Sequence, residues 1–295
     1  MAVVAVANAP AQALPRDPAQ ARWKRVFADP GAVVGLVIVV VVAVCALFSP
    51  LLTHIDPNAQ DLAATFVSPG SQAHLLGTDN LGRDLFARII WGSRVSALVG
   101  VCVVLIGGTI GITLGLVGGY FGGWIDAVIG RVADVQLAFP LVLLAVAVVG
   151  VVGPGLVTVI AVIGLTSWVQ YVRVIRAETL SLTQRDFVVA AQGLGASRRR
   201  IILRHLLPNV ASPAIVLGTF EAARAVVLES SLSFLGLGVP PTIPSWGGML
   251  ADGRQYLDTA WWIGLFPGLA IVVAVLAVNL LGDGMRDALD PNNRR

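Results

Sequence analysis

Charged residues, cysteine and histidine are all scarce in this chain of 295 residues. Only 13% of the residues are charged, about half the ~25% usual in soluble globular proteins, while 56% are apolar. A water-facing surface cannot hide so much apolar material, which excludes a soluble enzyme of this size. Cys45 and Cys102 lie inside apolar runs, which excludes a disulfide framework, and the three histidines are too far apart for a metal-ligand motif. An integral membrane protein made of helices remains.

Long apolar runs are what the sequence has instead. A membrane-spanning helix needs about 17–25 mostly apolar residues. Six stretches meet this requirement, at residues 31–48, 95–120, 125–152, 156–174, 209–232 and 260–281. We expect Ser49-Pro50 to end the first helix, and Pro140, which lacks an N–H group, to kink or break the third. The sequence therefore predicts an all-α integral membrane protein with six transmembrane helices.

The basic residues indicate how these spans are oriented. With a cytoplasmic N-terminus, the inner segments contain 15 of the 20 basic residues. Positive charge is enriched in cytoplasmic loops, so both termini are predicted to be cytoplasmic. The chain then divides into a flexible cytoplasmic tail (1–30), a first spanning helix with an extracytoplasmic loop (31–92), a five-helix core carrying a cytoplasmic loop at 178–208 (93–283), and a second cytoplasmic tail (284–295).

Glycine recurs at every fourth position along the second span and its exit, at Gly107, Gly111, Gly115, Gly119 and Gly123. Residues four apart share one face of a helix, and small residues on that face let another helix approach closely in lipid. We expect the glycine stripe to be a helix-packing surface. The alternative is a lipid-facing stripe that only loosens the helix.

Three charged residues, Glu221, Arg224 and Glu229, interrupt the fifth span. A charge at the bilayer centre costs about 2.5–3.5 kcal/mol on insertion scales, so these side chains must face protein or water. Glu221 and Arg224 are three residues apart and can pair. These residues either line a substrate path or pair with each other in a structural role between helices. One arginine with two acidic residues does not suggest a chain of groups that could relay protons.

The longest predicted inner loop joins the fourth and fifth spans. Asp186 is a candidate N-cap for a short helix over residues 187–194, which Gly195 would end. Pro208 would then lie in the first turn of the next span. A short helix with a bare alanine patch can dock into a groove of a partner protein. Alternatively, the arginines at 198–200 hold it against lipid headgroups.

The loop resembles the EAA loop of type I ABC importer permeases. The family spacing is Ala-Ala, three residues, Gly, then twelve residues to Pro, and Ala190, Ala191, Gly195, Leu207 and Pro208 match it. In that family the loop forms the coupling helix, which enters a cleft of the cytoplasmic ATPase. The acidic residue expected before the alanine pair is valine here, so a salt link from that position to the ATPase is absent.

Three further segments resemble the dipeptide, oligopeptide and nickel branch of the family. They are LGTDNLGRD at 76–84, LSFLGLG at 232–238 followed by PP and PSWG at 240–247, and NLLGDGMRDALDP at 279–291. The resemblance covers roughly residues 23–291, and the first and last segments are similar to those of the "C" permease subunit. It implies the type I ABC importer permease fold with a cytoplasmic coupling helix.

The resemblance also implies the partners and the location of the chain. It is expected to be no enzyme and to bind no cofactor itself, since separate ABC ATPase subunits, one or two in kind, bind ATP and Mg. A second, homologous permease would complete a heterodimeric pore in the bacterial cytoplasmic membrane. An extracytoplasmic binding protein would deliver the cargo, which is a dipeptide, an oligopeptide, a nickel chelate or haem. No nucleic-acid partner is implied.

Two other function classes fit the sequence less well. An ion-coupled carrier would be expected to have an inverted internal repeat and an acidic residue near the middle of the membrane, and the sequence shows no repeat. A membrane-embedded hydrolase would need a nucleophile or metal dyad facing a cavity, and none is visible. His54 and His74 could contact a metal or haem cargo, although exposed loop histidines without such a role are the commoner case.

Overall fold

A computed structural model describes residues 26–71 and 74–289 of the chain. Most of the predicted N-terminal tail and the last six residues of the C-terminal tail lie outside this range. The part described is helical and contains no β-strand. Its α-helices are α1 (Pro30–Leu52), α2 (Leu85–Phe121), α3 (Gly123–Ala138), α4 (Leu141–Val152), α5 (Leu156–Thr183), α6 (Asp186–Gly193), α7 (Arg198–Phe234), α8 (Trp246–Gly253) and α9 (Trp262–Leu289).

The helices provide up to six membrane spans. Five of them, α1, α2, α5, α7 and α9, are each long and apolar enough to cross a bilayer. Helices α3 and α4 reach this length only together, and they meet at an angle of 83°. The break lies at Phe139-Pro140, with Pro140 at the N-cap of α4. The predicted break at Pro140 is confirmed, and the third span is a bent pair of helices.

Helix α1 does not end at Ser49-Pro50, so this prediction is wrong. The helix bends at Phe48, where φ is −107°, and continues to Leu52. Pro50 cannot donate to the carbonyl of Ala46, four residues earlier. That carbonyl instead accepts a hydrogen bond of 2.9 Å from Arg94 Nε of α2. A side chain 48 residues away thus replaces the missing bond.

Helices α2 and α9 extend well beyond their predicted spans. Helix α2 begins at Leu85, where the Asp84 carboxylate accepts a 2.7 Å bond from the Ala87 N–H, so the predicted domain boundary at 92/93 falls inside it. At 37 residues α2 is about 55 Å long. Helix α9 continues to Leu289, into the predicted tail. Polar residues near the end of a helix interrupt the apolar run from which a span is predicted, although the helix itself continues.

Helix α2 crosses α5 along the glycine stripe. Gly107, Gly111, Gly115 and Gly119 lie opposite Ser167, Tyr171, Ile175 and Thr179. A Cβ atom at Gly111 would be only 2.3 Å from Tyr171 Cβ and 2.6 Å from the Trp168 carbonyl oxygen. Only glycine permits this approach. Gly123 does not take part, because α2 ends at Phe121 and nothing lies within 4 Å of a Cβ at Gly123.

The connections at one end of the bundle form a loop cap, made of residues 53–71, 74–84 and 235–261. Two tryptophans tie it to the helices. Trp262 Nε1 donates to the Thr78 carbonyl (3.1 Å), and Trp246 Nε1 donates to the Ile89 carbonyl (2.9 Å). Both indoles are buried. The cap is therefore folded structure fastened to α2 and α9.

Buried charges of the segment at 76–84 hold the cap together. Asp79 accepts from Arg83 Nε at 2.6 Å and lies 3.8 Å from Arg88 Nε, and all three side chains are almost fully buried. Arg83 also reaches Asp252 at 3.3 Å. Gly82 has φ of +69°, and a Cβ there would be 1.8 Å from the Asp61 carbonyl oxygen. The segment therefore has a structural role at this point of the chain.

Candidate functional site

The predicted loop helix is α6, and it lies at the end of the bundle opposite the loop cap. Its first residue is Asp186, and Arg185 occupies the N-cap position with an extended backbone. Asp186 is therefore not the N-cap that the sequence suggested. Its carboxylate lies in the first turn, where a negative charge interacts favourably with the helix dipole.

Gly195 ends this helical segment through a Schellman motif. Its φ is +76°, which strains residues with a Cβ. The Gly195 N–H donates to the Gln192 carbonyl (2.9 Å), and the Ala196 N–H donates to the Ala191 carbonyl (3.0 Å). The chain then turns directly into α7, whose N-cap is Ser197.

One side of α6 packs against the helix bundle. Val188 is fully buried in an apolar cluster to which α2, α5 and α7 also contribute. The other buried members are Leu116, Ile175, Leu182, Ile201, Leu206, Val210 and Ala214. Phe187 also lies 6.3 Å from the His205 ring of α7. Val188 therefore connects α6 to three spanning helices through side-chain packing.

The other side of α6 is an apolar face made of Phe187, Ala190 and Leu194, which are exposed, and Ala191, which is half-buried. The i, i+3, i+4, i+7 spacing places these residues together. Leu194 is 89% exposed and Phe187 44% exposed. Five exposed arginines lie close to this face in the sequence, namely Arg185, Arg198, Arg199, Arg200 and Arg204. Phe187 and Leu194 were missed from the sequence, although the helical spacing around the alanine pair could have found them.

The regular α-helical part of α7 begins at Leu207, which places Pro208 in its first turn, as predicted. A short helical stretch from Arg198 precedes it without a break. A π-helical turn at Ile202–Leu206 precedes the proline, with the Leu207 N–H bonded to the Ile202 carbonyl. This wider turn lets the helix pass a residue that cannot donate a bond. Leu207 packs on the Val188 cluster, and Pro208 is exposed.

Part-way along α7, Glu221 and Arg224 line a small pocket of about 50 Å³ at the bend between α3 and α4. Arg224 NH1 lies 3.3 Å from Glu221 Oε1. The pocket also contains Gln136 and Gln170. Gln136 is held by its bonds to the Thr166 carbonyl and to Trp168 Nε1, both of 2.7 Å. Neither glutamine was singled out from the sequence, because only the bend brings α3 to this position.

Glu229 does not join this pair. It is fully buried, and its carboxylate accepts from Ser233 Oγ (2.7 Å) and Ser230 Oγ (3.4 Å). Five residues separate it from Arg224, which places the two side chains about 140° apart around the helix. The Arg224 side chain, by contrast, is 46% exposed within a membrane span. The three intramembrane charges thus form two separate sites.

The histidines show no arrangement for a metal. His74 Nδ1 lies 2.8 Å from Asp84 Oδ2, the residue that caps α2, and His54 is exposed. Within residues 26–71 and 74–289, no group of three metal-ligating side chains comes together.

Comparison with known proteins agrees with this architecture. Residues 111–295 match the family described as the binding-protein-dependent transport system inner membrane component. The chain belongs to this family. Residues 18–69 of the permease also match the N-terminal transmembrane domain of oligopeptide transport permease C. It is therefore a multi-pass membrane permease of the ABC transport class.

Curated relatives cover nearly the whole permease. A dipeptide transport system permease protein of Escherichia coli (strain K12) is 43% identical over 283 residues, 94% of each chain. A di/tripeptide transport system permease protein of Pseudomonas aeruginosa is 41% identical over 280 residues, 93% of this chain and 92% of the relative. A dipeptide permease of Alkalihalophilus pseudofirmus is 40% identical over 278 residues, 93% and 90% respectively.

Proposed function

We propose that this permease is one half of the membrane pore of a peptide importer, and that α6 couples the pore to cytoplasmic ATPase subunits. The cargo assignment is supported by relatives named for dipeptides and di/tripeptides that span at least 90% of both chains. A second, homologous permease completes the pathway, and an extracytoplasmic binding protein delivers the peptide. The chain itself catalyses no reaction, and its ATPase partners bind ATP and Mg.

The exposed apolar face of α6 is the observation that carries the coupling proposal. An isolated eight-residue helix is unstable in water, and this one is held by Val188 and the Schellman turn. Its free face exposes Phe187 and Leu194, and five exposed arginines lie close to them in the sequence. Such a surface suits an apolar groove with an acidic rim. The fully buried Val188 cluster then transmits the movement of the groove to α2, α5 and α7.

The same arginines support a cytoplasmic position for α6 and for both chain termini. The loop cap then lies on the extracytoplasmic side of the membrane and provides the surface to which the binding protein binds. In this arrangement the core of 93–283 contains the coupling loop of 178–208, while 1–30 and 284–295 are cytoplasmic. Glu221 and Arg224 line the pathway, since a half-exposed arginine in a span must meet water or the second permease.

The coupling proposal is tested by one charge placed at two neighbouring positions of α6. Ala191→Glu puts a carboxylate on the apolar face, whereas Gln192→Glu puts it beside that face, on an exposed polar position. We expect Ala191→Glu to abolish uptake of a radiolabelled dipeptide, because burying an unpaired charge in a groove costs several kcal/mol. Gln192→Glu should retain uptake.

Co-purification separates coupling from folding. Both variants should insert in the membrane at the normal level, and only Ala191→Glu should lose the co-expressed ATPase subunits in mild detergent. Normal uptake by Ala191→Glu would overturn the coupling role. Normal uptake of other solutes but not of any dipeptide by the unmodified transporter would overturn the cargo assignment.

A further inference from the structure

Arg224 lies half exposed near the middle of a membrane span. It precedes Phe234, the last residue of α7, by ten residues or about 15 Å, which is half of a ~30 Å hydrocarbon layer. Its side chain is 46% exposed, whereas that of Glu221 is 7% exposed. The ion pair therefore has its negative charge inside the bundle and its positive charge toward the outside.

Most of the Arg224 guanidinium group has no partner in the described part of the chain. Arginine has five N–H donors, and the hydrogen bond found there runs from NH1 to Glu221 Oε1 at 3.3 Å. Gln170 of α5 lines the same pocket, is half-buried, and makes no side-chain hydrogen bond within residues 26–71 and 74–289. The pocket thus offers a guanidinium group and an amide, both in contact with accessible space, to a ligand.

The bend between α3 and α4 borders this pocket. Phe139 and Leu141, on either side of Pro140, line it, and Phe139 is 61% exposed. Irregular backbone within a membrane is stable only where protein covers it or where it lines a water-filled cavity. Among the described residues no side chain caps the N-terminus of α4, whose partial charge is positive, as that of Arg224 is. The electrostatics of the pocket therefore favour an anionic group over a cationic one.

Charge balance distinguishes a passing peptide from an acidic residue of the second permease. Glu221 and Arg224 are neutral as a pair. A further acidic side chain fixed beside them would bury a net negative charge in the membrane, which is unfavourable. A dipeptide is a zwitterion, so its carboxylate can approach Arg224 while the whole complex stays neutral. Glu221 competes for the same guanidinium group, which keeps the bound carboxylate exchangeable.

We propose that Arg224 binds the C-terminal carboxylate of a peptide in the pathway, through the N–H groups that Glu221 leaves free, and that Gln170 hydrogen-bonds the adjoining peptide group. Glu221 is a positioning residue, because its bond to NH1 holds the guanidinium group at the pocket. The pathway itself then selects peptides with a free carboxylate. This inference rests on the proposed function, since it takes the pathway and its peptide cargo from there.

Thiol labelling of the assembled transporter in lipid nanodiscs tests the site. Leu137→Cys, which is on the same pocket and 44% exposed in the native residue, is introduced after Cys45 and Cys102 are replaced by alanine. Relative to a free thiol, an anionic methanethiosulfonate should label it about tenfold faster than a cationic one. Arg224→Gln should remove this preference. Millimolar Ala-Ala should slow the labelling, whereas its C-terminal amide should not.

A cysteine far from the pocket is the matched control. Leu257→Cys lies on the loop cap, and Leu257 is 58% exposed. Its labelling should respond neither to Arg224→Gln nor to Ala-Ala. A response at Leu257→Cys equal to that at Leu137→Cys would show a general effect on the transporter and would overturn the assignment to Arg224.

Uptake separates carboxylate binding from a purely structural ion pair. Arg224→Gln should lower uptake of Ala-Ala by about tenfold or more, the value of one hydrogen bond to a charged group. Arg224→Lys keeps the positive charge and should retain more uptake. Combining Glu221→Gln with Arg224→Gln should leave uptake as low as Arg224→Gln alone. Restored uptake in the double variant would show that Arg224 serves only to neutralise Glu221.

Failure of the inference and failure of the proposed function give different results. Labelling of Leu137→Cys in the isolated permease but not after assembly would show that the second permease covers the site, which overturns the inference. Equal labelling by the two reagents, or equal protection by Ala-Ala and its amide, would also overturn it. Uptake of Ala-Ala by the unmodified transporter would persist in these cases, whereas loss of that uptake would overturn the proposed function.

Discussion

The two ends of this permease differ in how their side chains are paired and packed within the chain. In the loop cap, buried charges pair with each other and indole N–H groups find carbonyls far away in sequence, as Trp262 does with Thr78. At the α6 end, Phe187 and Leu194 remain exposed, and five exposed arginines lie close to them in the sequence. The buried polar groups of the cap named here are paired within the chain, whereas these two apolar side chains of α6 are left exposed.

The same contrast explains how movement could pass through the molecule. Helix α2 is about 55 Å long and joins the two ends, and glycine contacts hold it against α5. If α6 couples the pore to the ATPase subunits as we propose, this connection would carry a displacement from one end of the permease to the other. The comparison makes three predictions, one for the cap, one for α2 and one for α6.

The largest effect is expected in the cap. Gly82→Ala would place a Cβ 1.8 Å from the Asp61 carbonyl oxygen in a residue with φ of +69°. We expect a loss of more than ~3 kcal/mol of stability, seen as little folded permease in gel filtration. Gly70→Ala is the control, because Gly70 has φ of +82° but nothing within 4 Å of the added Cβ. Equal yields of the two variants would show that the cap is not tightly packed.

A smaller effect on stability is expected along α2, at Gly108 and Gly111, which are three residues apart. Gly111→Ala forces a Cβ into Tyr171 and should cost about 1–3 kcal/mol through overpacking. Gly108→Ala meets the Tyr171 ring at 3.5 Å and should be neutral or slightly stabilising. Thermal unfolding in detergent measures both. If the Tm values match, then α2 and α5 are not held by the glycine stripe.

The smallest effect on stability, with a visible effect on transport, is expected at Gly195. Gly195→Ala strains a residue with φ of +76° by about 1–2 kcal/mol. Because α6 buries few side chains, we expect uptake to fall severalfold while the Tm of the whole permease is unchanged. Gly195→Asn should keep most uptake, since asparagine tolerates this conformation better. A lower Tm with unchanged uptake would assign the turn to stability instead of coupling.

Hydropathy and proline positions predict the spans and the break at Pro140, because each depends on residues close in sequence. The continuation of α1 past Pro50 could not be predicted this way, since it depends on Arg94 bonding to the Ala46 carbonyl. The helical stretch before Leu207 includes a π-helical turn, for which the sequence has no local signal. A tertiary contact decides only the first case.

The candidate sites divide in the same manner. The spacing of Ala190, Ala191 and Gly195 located α6 and its end correctly, because a short helix and its terminal turn are local structures. Glu229 was grouped with Arg224, although their separation around the helix could have been calculated from the sequence. Gln136 could not have been placed beside Arg224 without the 83° bend of α3 against α4.

The accessibility of Leu194 tests the central claim, that the apolar face of α6 is covered by the ATPase subunits. Leu194→Cys is made in a background with Cys45 and Cys102 replaced by alanine, and Leu257→Cys on the loop cap is the control. In lipid nanodiscs, maleimide should label both cysteines in the permease without ATPase subunits. Assembly with those subunits should protect Leu194→Cys and leave Leu257→Cys reactive. Labelling of Leu194→Cys that is unchanged by assembly, or already blocked by the nanodisc alone, would contradict the account.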